Sequence, residues 1–85
     1  MKKIEIYTTN TCPFCFSAKD LLNKKNLVFH EVDLSGDTEG RAKLRDKLNG
    51  VTSVPQIFIE GQHIGGCDEL YAIESTGELD KLVSE

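Results

Sequence analysis

Residues 4–22 read Ile4-Glu5-Ile6-Tyr7-Thr8-Thr9-Asn10-Thr11-Cys12-Pro13-Phe14-Cys15-Phe16-Ser17-Ala18-Lys19-Asp20-Leu21-Leu22: a strand pattern, a polar turn and a helix pattern in succession. The alternation of β-branched, aromatic and polar residues over 4–8 fits one pleated strand. Pro13 suits the first position of a helix, where its missing N–H would have had no partner, so Cys12 falls at the N-cap and Cys15 in the first turn. Cys15, Ala18, Leu21 and Leu22 share helical spacing, while Lys19, Asp20, Asn23 and Lys24 fall mostly on the other side, and the lysines read as a solvated face. Paired cysteines between a strand and a helix point to redox exchange or to half of a metal site.

Working outward, Lys24-Lys25-Asn26 suits the end of that helix, and Leu27–Asp33 predicts a second strand, parallel to the first through a right-handed crossover. Ser35-Gly36-Asp37-Thr38 is turn and cap chemistry, so a second helix is expected from about Thr38 to Asn49, with Leu44 and Leu48 on a modestly apolar face. Gln56–Glu60, the turn residue Gly61 and Gln62–Ile64 form a hairpin pattern. Gly65-Gly66 then leads into a helix carrying Leu70, Tyr71 and Ile73 to a stop at Gly77, and Leu79, Leu82 and Val83 anchor a final helical turn. The order β-α-β-α-β-β-α, with CxxC after the first strand, predicts an α/β, thioredoxin-like fold: a four-stranded mixed sheet flanked by helices, formed by residues 1–85 as a single domain.

Composition agrees with a small globular domain and excludes several classes of function. The 85 residues are 39% apolar and 28% charged, which argues against disorder and collagen. A net charge of −4 gives no broad cationic face, so neither nucleic acid nor a membrane surface is an expected partner. Glu5 and the polar stretch Thr8–Thr11 interrupt any signal-peptide core, and no apolar run approaches the roughly 20 residues of a membrane span. Three cysteines are too few and odd in number for a disulfide-stapled secreted domain, which points to a reducing cytoplasm.

Three blocks carry a family resemblance. Ile6-Tyr7-Thr8 with Cys12-Pro13-Phe14-Cys15, then Ser53-Val54-Pro55, then Gly65-Gly66-Cys67-Asp68 are similar, in kind and in order, to the signature blocks of glutaredoxins. The runs Val54-Pro55-Gln56-Ile57-Phe58-Ile59 and Gln62-His63-Ile64-Gly65-Gly66-Cys67 look most like the small dithiol members from bacteria. The resemblance spans nearly the whole chain. It implies a glutathione-dependent thiol–disulfide oxidoreductase that reduces protein disulfides and glutathione mixed disulfides, with glutathione as reducing co-substrate and no metal. Implied partners are glutathione, disulfide-bearing or glutathionylated proteins and, indirectly, glutathione reductase; the chain is expected to act as a monomer.

The catalytic assignment also follows from the residues. A sulfur at an N-cap faces unsatisfied backbone N–H groups and the positive helix end, both of which favour thiolate, so Cys12 is the expected nucleophile. Cys15, on the apolar side of the helix, is the expected resolving thiol. For glutathione, the resemblance implies a cis Val54–Pro55 bond that leaves the Val54 N–H and C=O free to pair with the ligand's cysteine backbone. It further implies close backbone approach at Gly65-Gly66, N–H donors at Cys67 and Asp68 for the γ-glutamyl carboxylate, and Asp68 against the ammonium. Phe14, at a usual tyrosine position, is likewise implied to contact glutathione.

The chain departs from the family pattern at Thr9, where a lysine is frequent, at Phe16-Ser17, often a basic pair, and at Ala42 and Val51, where Arg, Lys or Gln often hold the glycine carboxylate. Arg41, Lys43, Arg45 and Lys47 are the candidate substitutes, and a lower glutathione affinity is expected. Phe29, Phe58 and Tyr71 read as core or edge packing, His30 and His63 as structural, and Cys67 as a helix-opening residue. Alternative readings are a zinc site completed by Cys67 with His30 or His63, an iron–sulfur cluster carrier, and a redoxin served by thioredoxin reductase. Pro13 disfavours the first two, and the intact Gly65–Asp68 block the third.

Overall fold

Alternation over residues 4–8 becomes strand β1 (Ile4–Thr8), with Ile4, Ile6 and Thr8 fully buried and Glu5 and Tyr7 only partly so. The computed structural model describes residues 2–84. After β1 come α1 (Pro13–Lys24), β2 (His30–Asp33), α2 (Thr38–Lys47), β3 (Gln56–Ile59), β4 (Gln62–Gly65), α3 (Cys67–Ser75) and α4 (Glu78–Val83). The strands form one mixed sheet in the order β2-β1-β3-β4. β1 runs parallel to β2 and antiparallel to β3, and β3 pairs antiparallel with β4. This is the thioredoxin-like arrangement, and it places the ends of β1, β3 and β4 around the first turn of α1.

Two cores cover the two faces of the sheet. On one, Ile4, Ile6, Ile57 and Ile59 meet Ala18, Leu21 and Leu22 of α1, Leu70 of α3, and Leu79 and Val83 of α4. The other is smaller: Phe58 packs with Leu34, Leu44 and Leu48, bordered by Tyr7 and Val32. α2 buries little besides Leu44. Its N-terminus is held instead by Asp37, whose side chain accepts the Gly40 N–H at 2.8 Å.

Several boundaries differ from the sequence reading for local reasons. The second strand begins at His30, not Leu27, because Asn26 takes a left-handed conformation (φ 58°) and the Leu27 N–H closes α1 by donating to the Leu22 carbonyl at 3.0 Å. α2 ends at Lys47 in the same way, with Asn49 at φ 58° and the Gly50 N–H reaching back to Arg45 at 2.8 Å. Glu60 leaves the strand for the turn: with φ of 49° at Glu60 and 81° at Gly61, both residues of this two-residue hairpin loop have the positive φ that matches strand twist. The lysines of α1 do not form one solvated face. Lys19 is bonded to Glu31 at 2.9 Å, and Lys25, just past the helix end, bridges Glu74 at 2.8 Å and Asp80 at 2.9 Å. Among the described residues no helix is long and apolar enough to cross a membrane.

Candidate active site

The site is assembled where α1 begins. Cys12 is extended (φ −96°, ψ 109°), and its sulfur accepts the Cys15 N–H at 3.2 Å, the bond an oxygen would accept in an ordinary N-cap. Its carbonyl takes the Cys15 and Phe16 N–H groups at 3.1 and 3.4 Å, starting the helix. Cys12 is half-buried, and its thiol also donates to the Val54 carbonyl at 3.3 Å. The Val54 carbonyl is therefore engaged by Cys12 in the reduced protein, and not free as the family resemblance implied.

Cys15 lies one turn on, fully buried beneath Cys12. Burial first, and then its hydrogen bond to the Cys12 sulfur, push its thiol up to about 12. A backbone hydrogen bond at Thr9 and the positive charge of Lys19 act against that rise. Cys67, the first residue of α3, is buried too, and its thiol is raised by burial, then by the charges of Asp68, Cys12 and Glu69.

The facing wall is the loop before β3. The Val54–Pro55 bond is cis. The loop is tied from behind by Gln56, a polar side chain only 3% exposed in an otherwise apolar strand. Its amide donates to the Ser53 carbonyl at 2.9 Å and to the Ser53 hydroxyl at 3.3 Å, while its Oε1 is bonded to His63 Nε2 at 2.7 Å. Every polar atom of Gln56 is thus used, which is what its burial demands. The third wall is the turn into α3. Gly65 sits at φ 127°, and a Cβ at Gly66 would stand 3.2 Å from the Pro55 carbonyl oxygen. The Gly66 N–H donates to the Glu69 carboxylate at 2.7 Å.

These walls enclose a pocket of about 180 Å³ lined by Phe14, Ser53, Val54, Pro55, Gly66, Cys67, Asp68 and Glu69. Of the residues that the family resemblance implied for glutathione, Phe14, Val54, Pro55, Gly66, Cys67 and Asp68 line it and Gly65 does not, and the Cys12 sulfur is linked to it through the bond to the Val54 carbonyl. A larger groove of about 550 Å³ continues past Val54. It is lined by Thr9, Asn10 and Thr11, by Val51 and Thr52, and by Arg41, Ala42 and Arg45 of α2. Of the four basic candidates on α2, Arg41 and Arg45 face this groove, and Arg41 Nη2 donates to the Thr52 carbonyl at 2.9 Å. Lys43 pairs with Glu39 at 3.3 Å and Lys47 covers the Phe58 ring at 4.5 Å.

Sequence reasoning missed two parts of this arrangement. Glu69 had a signal, since Gly66 and Glu69 have the spacing of a capping box whose glutamate half alone is realised. The Ser53–Gln56–His63 connection had a weaker one, a glutamine inside an apolar strand. His30 lies exposed on the edge strand β2. Among the described residues no group of three or more His, Cys, Asp and Glu side chains is placed to hold a metal ion.

A half-buried sulfur with a backbone N–H aimed at it, one helical turn from a second, buried thiol, is suited to thiol–disulfide exchange. Comparison with known proteins agrees. The glutaredoxin family model matches residues 4–64. The chain is 52% identical over 81 residues to a probable glutaredoxin of Synechocystis sp., covering 95% of this chain and 92% of that one. It is 49% identical over 83 residues to glutaredoxin 3 of Escherichia coli, covering 98% and 99%. The solution structure of the glutaredoxin from Brucella melitensis superposes with a TM-score of 0.86 at 46% identity, covering 98% of this chain and 89% of that one. Motif order, sheet topology and near full-length identity thus converge, and the chain belongs to the glutaredoxins, the family of glutathione-dependent thiol–disulfide oxidoreductases.

Proposed function

We propose that Cys12 is the nucleophile and Cys15 the resolving thiol of this glutaredoxin, and that the pocket beside them seats glutathione. One observation carries the reading: the Cys12 sulfur caps α1, receives the Cys15 N–H at 3.2 Å, and donates at 3.3 Å to the carbonyl of Val54, which lines the pocket together with Gly66 and Asp68. In the dithiol route the Cys12 thiolate attacks one sulfur of a protein disulfide. A Cys12 mixed disulfide forms, and the other sulfur leaves as a thiolate that takes a proton from water. Cys15, deprotonated, then attacks the Cys12 sulfur; the Cys12–Cys15 bond forms and the substrate's second thiolate departs. Two glutathione molecules return the pair to dithiols and leave as oxidised glutathione, which glutathione reductase recycles. A glutathionylated protein needs Cys12 alone, since the glutathione sulfur itself is attacked and a second glutathione completes the cycle.

Glutathione is held largely by its main chain. Once Cys12 loses its proton, the Val54 carbonyl loses its donor and becomes available to the ligand's cysteine N–H, with the Val54 N–H as the matching donor. The N–H groups of Cys67 and Asp68 open α3 toward the γ-glutamyl carboxylate, and the Asp68 carboxylate takes the ammonium. Phe14 and Pro55 close the sides. Arg41 and Arg45 take over the glycine carboxylate, in place of the basic or amide side chains absent at Ala42 and Val51. The setting is a reducing cytoplasm and the working unit a monomer.

The test is a coupled assay with glutathione, NADPH and glutathione reductase, run on a glutathionylated peptide and on a protein with an internal disulfide. Cys12→Ser is expected to lose both activities, and Cys15→Ser to lose the second while keeping the first. Activity of Cys12→Ser on either substrate would overturn the assignment.

A further inference from the structure

A fully buried thiol, raised by its burial, holds its proton at neutral pH, yet the dithiol route requires it to attack as the thiolate. The groups around Cys15 show what eases that step. Lys19 follows Cys15 by four residues on α1 and so stands above it on the same helix face. Its side chain is only 22% exposed, unusual for a lysine on a surface helix. Its ammonium is fixed at 2.9 Å from Glu31 Oε2 on the edge strand, and it lies 5.0 Å from the centre of the Phe16 ring. Glu31 is held in turn by the hydroxyl of the wholly buried Thr8, which donates to the same Oε2 at 2.7 Å. This chain of contacts runs from the core of β1 through β2 to the helix carrying the two cysteines, and the exchange cycle gives it no role.

We propose that Lys19, pinned by Glu31 and Phe16, is a positioning residue for the second step of catalysis, where its ammonium stabilises the Cys15 thiolate that attacks the Cys12 mixed disulfide. The inference rests on Cys12 as nucleophile and Cys15 as resolving thiol. In the step itself the Cys15 proton passes to water. The Cys12–Cys15 bond then forms as the bond from Cys12 to the substrate sulfur breaks, and that sulfur leaves with the electron pair.

The charged and titratable groups facing Cys15 set the sign of each effect. On α1 these are Cys12 and Lys19; β2 contributes Glu31 and Asp33 through their interaction with Lys19; Cys67, opening α3, faces Cys12. Lys19 is the one cation in this set, and Glu31 both fixes it and offsets part of its field.

That opposition makes the proposal testable with dithiobis-nitrobenzoate in a stopped-flow instrument. Cys12 attack releases one thionitrobenzoate in a phase that scales with reagent concentration, and Cys15 attack releases the second in a phase that does not. Reaction of Cys67 again scales with reagent, which separates it from the Cys15 phase. In Lys19→Met the reagent-independent phase is expected to slow about three- to tenfold at neutral pH, as for loss of one charge partly compensated by Glu31. Its pH midpoint is expected to move upward while the first phase holds its rate. Lys19→Arg, which keeps the charge, should restore the phase, and Glu31→Gln, which removes the opposing charge, should quicken it. If Lys19→Met and Glu31→Gln both slow the second phase, the network only braces the helix and the proposal is wrong; an unchanged second phase in Lys19→Met overturns it equally. Failure of the underlying reading looks different: a Cys12→Ser variant that still shows the reagent-independent phase would remove the cysteine assignment itself.

Discussion

Cys12 and Cys15 share one helical turn but experience different surroundings, and their reactivities should separate accordingly. With iodoacetamide at neutral pH, mass spectrometry is expected to find the first label on Cys12. Cys15 and Cys67, both buried with raised thiols, should follow slowly and only as the pH rises. The same asymmetry has a stability consequence. The Cys15 thiol stands above its ordinary value of 9.0, at about 12, so the folded state keeps a proton that the unfolded chain gives up. This contribution is complete below the ordinary value and is lost as pH climbs from there through about 12. The urea midpoint of the reduced protein should fall over that alkaline window, and the Cys12–Cys15 disulfide form should fall less, keeping only the part that belongs to the raised Cys67 thiol. At the pocket, Asp68→Ala is expected to raise the Michaelis constant for glutathione about tenfold, by loss of one charge-assisted hydrogen bond, with turnover nearly unchanged. An unchanged Michaelis constant would remove Asp68 from the ammonium.

At the scale of elements, each helix is delimited by a few side chains whose removal can be measured. Asp37→Ala leaves the Gly40 N–H without its acceptor at the start of α2 and should cost about 1 kcal/mol in urea unfolding. Such caps are also what the sequence displays most openly. Pro13 and Asp37 act within one turn of themselves, so those helix starts were legible, and with them the β-α-β-α-β-β-α order; Gly77, read only as the stop of α3, also caps α4. The ends were less so. Whether residues 27–29 extend a strand or close a helix is decided by one left-handed residue, Asn26, and by where the Leu27 N–H finds its partner. The pocket residues were legible because three short blocks carried them. What joins those blocks was not: the Cys12–Val54 contact spans 42 residues and the Lys19–Glu31 pair 12, and neither has a local signature. Which basic side chains of α2 face the groove depends on how that helix is rotated over the sheet, a tertiary quantity that its weakly amphipathic pattern leaves open.

Over the whole molecule, the larger core ties α1, α3 and α4 to one face of the sheet. The Lys25 bridge to Glu74 and Asp80 fastens the same three helices from outside. Leu79, fully buried in that core, should cost about 2–5 kcal/mol when cut to alanine. Replacing Lys25 by methionine should produce a smaller loss that fades with added salt. The opposite face holds far less: α2 rests on Leu34, Leu44, Leu48 and Phe58. Its backbone amides are therefore expected to exchange with deuterium well before those of β1, β3 and α1.

That inequality divides the substrate channel into a fixed bank and a yielding one. The end proposed to seat the γ-glutamyl portion is built on the heavily packed side and is expected to keep its shape from one turnover to the next. The end beyond Val54 leans on the lightly anchored helix, whose two arginines are expected to adjust more readily than the residues around the sulfurs. A catalyst that must grip one invariant tripeptide and also admit disulfides of many shapes is served by that split, with selectivity set on the rigid side and tolerance on the compliant one.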